Sequence, residues 1–112
     1  MYAARAHDLT ISDGVQLDLE DEEMLRYSCE QGRDLGFDGK SLIHPKQIAA
    51  ANSTFAPDAA EVAAARDIIA AFEEAQAQGK AVVVVRGRLV ENLHVEEARR
   101  QLALAEAIEQ IA

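Results

Sequence analysis

The order of hydrophobic and polar residues divides the first half of the chain into short β/α units. Alternating apolar and polar residues predict a strand at Gly14–Leu19, and a second short strand is predicted at Gly39–His44, ended by Pro45. A helical repeat predicts a helix from Glu22 to Leu35, which Gly36 would end because glycine accepts the left-handed backbone of a helix terminus. The alanine-rich segment Met1–Leu9 predicts the end of a further helix.

The second half of the chain predicts two helices on either side of a β-hairpin. Apolar residues at three- and four-residue steps indicate the helices, and a β-branched run with a turn indicates the hairpin. The predicted elements are a short helix at Lys46–Asn52, a linker at Ser53–Pro57, a long helix at Asp58–Gln78, strands at Ala81–Val85 and Leu89–Glu91 around the turn Arg86–Arg88, and a helix at Leu93–Ile111 capped by Asn92.

Two parallel strands are too few for a stable sheet, because parallel sheets are buried on both faces by neighbouring elements. A complete (β/α)8 barrel takes about 250 residues, and this chain has 112. The pattern therefore predicts an α/β fold whose missing strands are supplied by a longer parent chain or by a partner.

Composition narrows the classes of function. The chain carries 20 acidic and 11 basic residues, a net charge of −9, which disfavours binding to nucleic acid. Its one cysteine, Cys29, has no partner for an internal disulfide or a cysteine-based zinc site, and is expected in the core. The longest apolar run, Ala81–Val85, is too short to span a bilayer, and no signal peptide is evident. A soluble, cytoplasmic protein with no membrane partner is the expectation.

A cluster of carboxylates follows the first predicted strand, at the end where β/α proteins place their sites. Asp18, Glu20 and Asp21 form this cluster. Carboxylates bind hard cations such as Mg²⁺, so one interpretation is a cation or polar-substrate site. The other interpretation is capping of the following helix and a solvated loop.

A second candidate site follows the second predicted strand. His44 ends the strand, and its imidazole can donate to a phosphate or carbonyl group. Lys40 and Lys46 flank it and can meet an anionic ligand. The alternative is a histidine packed at the strand end with a hydrogen bond to the backbone.

Glu91 lies at the exit of the predicted hairpin, with Arg86 and Arg88 across the turn. A carboxyl group there can act as acid or base when it is held in a dry cleft. The alternative is an exposed ion pair with one of those arginines. His94, three residues later, is either a partner of this group or a surface residue.

Four segments resemble one known family. They are DGVQLDLEDEE (residues 13–23), GFDGKSLIHPKQIAAA (36–51), NSTFAPDAAEVAAARDIIAAFEEA (52–75) and VVVVRGRLVENLHVEEARR (82–100). Together they resemble the C-terminal part of the citrate lyase β-subunit and malyl-CoA lyase family, the HpcH/HpaI aldolases. Within that family, the segment GRLVENLHVE (residues 87–96) resembles the malyl-CoA and β-methylmalyl-CoA lyases more than the citrate lyase β-subunit.

The resemblance implies a TIM (β/α)8 barrel with a C-terminal lid. Residues 1–55 would be the last two β/α units of an incomplete barrel, and residues 56–112 a helix–hairpin–helix lid. The Mg²⁺ ligands of the family, a glutamate and an aspartate, would precede Met1, so no metal ligand is expected in this chain. The resemblance further implies a homo-oligomer, a trimer or a hexamer, with acyl-CoA and 2-oxo acid substrates.

The resemblance also implies roles for residues of this chain. Glu91 stands where the family's lid carries an acid, usually an aspartate, that serves a neighbouring subunit. The residues implied to line the CoA channel and its rim are Ile43, His44, Pro45, Asp18 and Asp21. The implied activity is Mg²⁺-dependent, reversible Claisen cleavage of malyl-CoA-type or citryl-CoA-type thioesters. The alternative is a non-catalytic fragment or partner-docking module, and the isolated chain is expected to be inactive.

Overall fold

The computed structural model describes residues 1–111 of the chain. The chain divides into two compact units, Met1–Ala56 and a second that starts at Pro57. Both units are mostly helical, and each contains one small two-stranded sheet. The helices are α1 Tyr2–Ala6, α2 Glu22–Asp34, α3 Ile48–Phe55, α4 Ala59–Ala77 and α5 Asn92–Ile111, and the strands are β1 Ser12–Asp13, β2 Gly39–Lys40, β3 Val83–Val85 and β4 Arg88–Val90.

The sheet of the first unit is parallel but shorter than predicted. β1 pairs with β2 in the register Ser12↔Gly39 and Asp13↔Lys40. The predicted strand at Gly14–Leu19 is therefore wrong in its position, and the one at Gly39–His44 is wrong in its length. Each strand has only one neighbour within residues 1–111, so no second ladder extends it. Leu17, for example, is 76% exposed.

Helix α2 confirms its prediction from local signals. Asp21 caps it by accepting a hydrogen bond from the backbone N–H of Met24 at 2.9 Å. The helix ends at Asp34, shortly before Gly36 in the left-handed region, with φ of 94°. Its buried Leu25 and Cys29 pack with Ala51 of α3, and the partly buried residues around them are Leu42, Ala50 and Phe55.

Helix α1 is fastened to the loop between α2 and β2 through Asp38. The guanidinium of Arg5 donates to both carboxylate oxygens of Asp38, at 2.9 and 3.0 Å, and to the carbonyl of Gly36 at 2.6 Å. The same carboxylate accepts the backbone N–H of Ile11, one residue before β1, at 2.8 Å. One side chain thereby positions both the helix and the start of the sheet.

The second unit is a helical pair with a hairpin between its helices. Helix α4 begins at a cap in which Asp58 accepts from the backbone N–H of Glu61 at 2.8 Å. The antiparallel strands β3 and β4 are joined by Arg86 and Gly87, whose φ values of 53° and 77° fit a type I′ turn. Phe72 of α4, Val90 of β4 and Val95 of α5 form the core, with the partly buried Ile68, Ile69, Val83 and Val85 around it.

Two predicted boundaries in the middle of the chain are corrected. Residues Pro45–Gln47 form a 3₁₀ turn, and α3 continues to Phe55 rather than ending at Asn52. Thr54 remains helical, and its hydroxyl donates to the carbonyl of Ala50 at 2.9 Å. None of the helices within residues 1–111 combines the length and the apolar character needed to cross a membrane.

Cys29 is expected to resist alkylation in the folded chain. Its side chain is fully buried, and burial raises the pKa of the thiol above its ordinary value of 9.0, an effect that the nearby Lys40 partly offsets. Because the thiolate is the reactive form, iodoacetamide at pH 8 should label the folded chain at least about a hundredfold more slowly than the urea-unfolded chain. Equal labelling rates would contradict the buried position.

The same pKa difference predicts the sign of a pH effect on stability. Above pH 9 the thiol of the unfolded chain loses its proton, whereas the folded chain retains it. The free energy of unfolding should therefore fall as pH rises above 9, and be unaffected by this group below 9. Urea titrations between pH 8 and 10.5 should show a shallower fall in the matched variant Cys29→Ala.

Candidate functional site

Two loops leave the carboxyl ends of β1 and β2 and lie together. The first loop is residues 14–21 and the second loop is residues 41–47. Gln47, 2% exposed, joins them: its side-chain amide donates to the carbonyl of Gln16 at 3.0 Å, and its amide oxygen accepts the backbone N–H of Ile43 at 3.0 Å. A buried polar side chain is thus satisfied from both loops, which holds their spacing.

The second loop carries the residues that the sequence places at a candidate site. Ile43, His44 and Pro45 are all exposed. The Nδ1 atom of His44 accepts the backbone N–H of Lys46 at 3.1 Å and caps the 3₁₀ turn. The hydrogen bond to the backbone agrees with the alternative interpretation of His44, but the ring is exposed and lies four residues beyond the end of β2 rather than packed at it. The bond requires the tautomer with its proton on Nε2.

The acidic residues of the first loop bond to nearby backbone and side-chain groups. Asp18 accepts the backbone N–H of Glu20 at 2.9 Å, and Asp21 caps α2. Glu20 pairs with Lys46 of the second loop at 3.2 Å, between two well-exposed side chains, so the pair adds little stability. The capping interpretation is confirmed, and no three His, Cys, Asp or Glu side chains come together as a metal-binding group within residues 1–111.

Glu91 occupies the corner between β4 and α5. Its backbone carbonyl accepts the N–H groups of His94 and Val95, and its own N–H donates to Nδ1 of His94 at 3.0 Å. Residue 91 is therefore the N-cap position, closed by His94 as in a capping box, and Asn92 is the first helical residue. The prediction that Asn92 caps α5 is wrong because the hairpin ends one residue earlier than expected.

The side chain of Glu91 is exposed and has no ion-pair partner within the described residues. The alternative of an ion pair with an arginine of the turn is wrong, because Arg86 pairs with Asp67 of α4 instead. The buried Val90 before it and the His94 hydrogen bond after it hold the backbone of Glu91. The carboxylate is thus exposed on a fixed backbone.

A cavity lies in each of the two units. In the second unit a cavity of about 310 Å³ lies against the hairpin, lined by Ala64, Ile68, Val85, Arg86, Arg88, Leu89, Val90 and His94. In the first unit a more polar cavity of about 360 Å³ lies between α2 and the 45–55 segment, lined by Glu22, Leu25, Arg26, Lys46, Ala49, Ala50 and Ser53. The cavity of the first unit borders the second loop at Lys46.

Sequence reasoning missed Gln47, and it treated Lys40 as a flanking surface residue. Lys40 is in fact buried at the end of β2, where its ammonium group donates to the carbonyl of Gly14 at 2.7 Å and to the hydroxyl of Ser28 at 2.9 Å. No local pattern distinguishes these two side chains from exposed ones, since their partners are distant in the sequence.

Replacing Gln47 by leucine should lower the free energy of unfolding by about 2–4 kcal/mol, because the carbonyl of Gln16 and the N–H of Ile43 lose their partner. Urea titration measures this. The matched control is Gln76→Leu on the exposed face of α4, for which we expect a change within about 0.5 kcal/mol. Equal effects of the two changes would contradict the bridging role of Gln47.

Several known proteins similar to this chain are named for CoA thioesters. A comparison with models of protein families gives no match. The chain is 59% identical over 108 residues to a (3S)-malyl-CoA thioesterase of Cereibacter sphaeroides. It is 41% identical over 106 residues to an L-malyl-CoA/β-methylmalyl-CoA lyase of the same species. It is 40% identical over 107 residues to the citrate lyase β-subunit of Leuconostoc mesenteroides subsp. cremoris.

These matches cover 95–96% of this chain but only 33–38% of the relatives, so the chain spans little more than a third of their length. A solved structure is similar as well: protein CitE from Mycobacterium tuberculosis, in complex with magnesium, acetoacetate and coenzyme A. Its TM-score is 0.74 at 28% identity, over 94% of this chain and 38% of that protein.

These similarities support membership of this chain in the citrate lyase β-subunit and malyl-CoA lyase family, which includes CoA-ester lyases and thioesterases. Within that family the thioesterase is more similar to this chain, at 59%, than the lyase at 41%. The lean of the sequence motifs towards the malyl-CoA lyases is therefore not confirmed.

Proposed function

We propose that this chain is the C-terminal part of an enzyme that cleaves a malyl-CoA-type thioester. The identity of 59% over 108 residues to a (3S)-malyl-CoA thioesterase carries this proposal. The motifs around residues 36–51 and 82–100 are those of the C-terminal part of the family. Residues 1–55 are proposed to be barrel units, and residues 56–112 a lid whose acid serves a neighbouring subunit of a homo-oligomer.

The geometry of the first unit supports a CoA-binding edge. The exposed Ile43, His44 and Pro45 lie in the second loop, which Gln47 links to the first loop with Asp18 and Asp21. The adjoining cavity of about 360 Å³ is lined by the cations of Arg26 and Lys46 and by the carboxylate of Glu22, and Lys46 also pairs with Glu20. The two cations can meet phosphate groups of CoA, and the exposed Ile43 and Pro45 offer apolar surface beside them.

Magnesium belongs to the complex of the Mycobacterium protein. The described residues do not fit a magnesium site well. The acidic side chains of the first loop already bond to the backbone N–H of Glu20, to the N-terminus of α2 and to Lys46, and no group of three His, Cys, Asp or Glu side chains comes together within residues 1–111. The ligands of the ion are proposed to belong to residues outside this chain.

Glu91 is proposed as the group that moves a proton. In carbon–carbon cleavage, the hydroxyl group gives up its proton to a base as the bond between the hydroxylated carbon and the carbon next to the thioester breaks. A 2-oxo acid leaves, and the acyl-CoA enolate takes up a proton from an acid. In hydrolysis, water adds to the thioester carbonyl and gives up a proton while CoA leaves as the thiol. A carboxyl group on a fixed backbone can serve either reaction.

The proposal is tested in a chimera of the Cereibacter sphaeroides thioesterase whose matched 108 residues are replaced by those of this chain. We expect the chimera to act on malyl-CoA with Mg²⁺ present. Release of free CoA thiol reports hydrolysis, and trapping of glyoxylate as a hydrazone reports carbon–carbon cleavage. The identities favour hydrolysis as the main activity.

A folded chimera without either activity would overturn the proposal. The 112-residue chain alone serves as the second test, since it is expected to release neither thiol nor glyoxylate. Turnover by the isolated chain that survives repurification would contradict the assignment of essential groups to residues outside it.

A partner-docking module without activity is the second candidate, and the exposure of apolar side chains favours it. Tyr2, Leu17 and Tyr27 of the first unit are 61–92% exposed, and the parallel sheet has two unpaired outer edges within the described residues. This candidate predicts that the chain binds the remainder of the relative without activating it. Sedimentation of the mixture combined with the thiol assay separates the two candidates.

A further inference from the structure

An ion pair between a buried lysine side chain and a partly exposed aspartate lies beneath the start of the first loop. The side chain of Lys40 is 2% exposed and that of Asp13, the last residue of β1, is 28% exposed, and Nζ of Lys40 lies 3.6 Å from Oδ2 of Asp13. The same ammonium donates to the carbonyl of Gly14 at 2.7 Å and to Ser28 of α2 at 2.9 Å. A buried cation is costly unless it is paired and hydrogen-bonded, and here two hydrogen bonds and the nearby carboxylate of Asp13 reduce that cost.

The ion pair holds both polar groups of one backbone residue. The backbone N–H of Gly14 donates to Oδ1 of Asp13 at 2.8 Å, and the carbonyl of Gly14 accepts from Lys40. Gly14 is the first residue of the first loop, and two residues later the carbonyl of Gln16 is held by Gln47. The direction in which the loop leaves the sheet is therefore set by two charged side chains.

Gly32 of α2 makes room for this arrangement. A Cβ atom at position 32 would lie 2.8 Å from Oδ2 of Asp13 and 3.4 Å from the ring of Phe55. Glycine within a helix is destabilising relative to alanine, so its presence here fits the close approach of the carboxylate. The carboxylate has little freedom to retreat, because its other oxygen holds Gly14.

We propose that Lys40 and Asp13 are positioning residues that pre-organise the first loop for ligand binding. Neither side chain needs to touch the ligand, since they act through the backbone of Gly14. A loop held in its binding conformation avoids the entropy cost of being ordered by the ligand. The relevance to CoA-thioester binding rests on the proposed function. The effect of Lys40 and Asp13 on the order of the first loop is tested without turnover.

The test is ¹⁵N relaxation on the 112-residue chain, which reports backbone order residue by residue. In the unchanged chain, order parameters for residues 14–19 are expected near the rigid value of about 0.85. In Lys40→Met they are expected to fall below about 0.6 in the first loop, with those of α2 unchanged. The matched control is Lys80→Met, an exposed lysine of the second unit, which should leave the first loop as it is.

A second variant keeps the test valid if loss of Lys40 unfolds the first unit. Gly32→Ala removes no charge but forces the carboxylate of Asp13 away from its place, so it should release the first loop in the same way. Unchanged order parameters in the first loop of a folded Lys40→Met or Gly32→Ala chain would overturn the proposal. Because neither measurement needs activity, this result is distinguishable from a failure of the proposed function.

Discussion

Replacing Glu91 by glutamine is expected to lower kcat of the chimeric enzyme by about 10²–10⁴ while leaving KM within a few-fold, because the amide has the size of the carboxyl group but cannot exchange a proton. The backbone at this corner should be unaffected. It depends on the carbonyl and N–H groups of residue 91, on Nδ1 of His94 and on the buried Val90, none of which the substitution changes.

Two further variants separate proton transfer from the loss of a surface charge. Glu91→Asp keeps a carboxyl group with a shorter reach and should retain more of the activity than Glu91→Gln. Glu96→Gln removes an exposed carboxylate from the next turn of α5 and should leave kcat within twofold of the unchanged chimera. If Glu91→Gln and Glu96→Gln behave alike, Glu91 is not the group that moves the proton.

Replacing Phe72 by alanine should abolish the fold of the second unit. The ring is 3% exposed and packs with Val90 and Val95, which makes it the largest side chain of that core. Deleting a buried phenylalanine side chain costs about 3–5 kcal/mol. A unit of about 55 residues has a stability of roughly 3–8 kcal/mol in all, so a loss of this size leaves little or none.

Two spectroscopic signals distinguish the first unit from the whole chain in this experiment. Both tyrosines, Tyr2 and Tyr27, lie in the first unit, so tyrosine fluorescence follows that unit alone, while far-ultraviolet dichroism follows all helices. For Phe72→Ala we expect a large loss of helical signal at 37 °C. The matched control is Leu93→Ala, a 73% exposed position of α5, for which the signal should be retained. A cooperative thermal transition in Phe72→Ala near that of the unchanged chain would contradict the central position of this ring.

Local sequence signals predict most of the helices. The cap at Asp21, the cap at Asp58 and the three- and four-residue apolar steps act over a single turn, so the bounds of α2 and α4 follow from the residues themselves. The hairpin is likewise local, because Gly87 and Arg86 form a two-residue turn between β-branched segments.

The extent of the strands does not follow from local signals. Alternation predicts a strand at residues 14–19, yet the ladder forms at Ser12–Asp13, where the partner strand lies. A strand is defined by its neighbour, and pairing of β1 with β2 joins residues 27 positions apart in the chain. Of the apolar residues of the first loop, Val15 and Leu17 are 45% and 76% exposed, whereas Leu19 is partly buried.

For the candidate site, the sequence by itself determined the family resemblance and most of the helices. Tertiary structure alone decided which polar side chains organise the site. Lys40 meets Gly14 across 26 positions, and Gln47 meets Gln16 across 31. Whether a lysine or a glutamine is buried depends on partners that satisfy its hydrogen bonds, and only the folded chain brings those partners within reach.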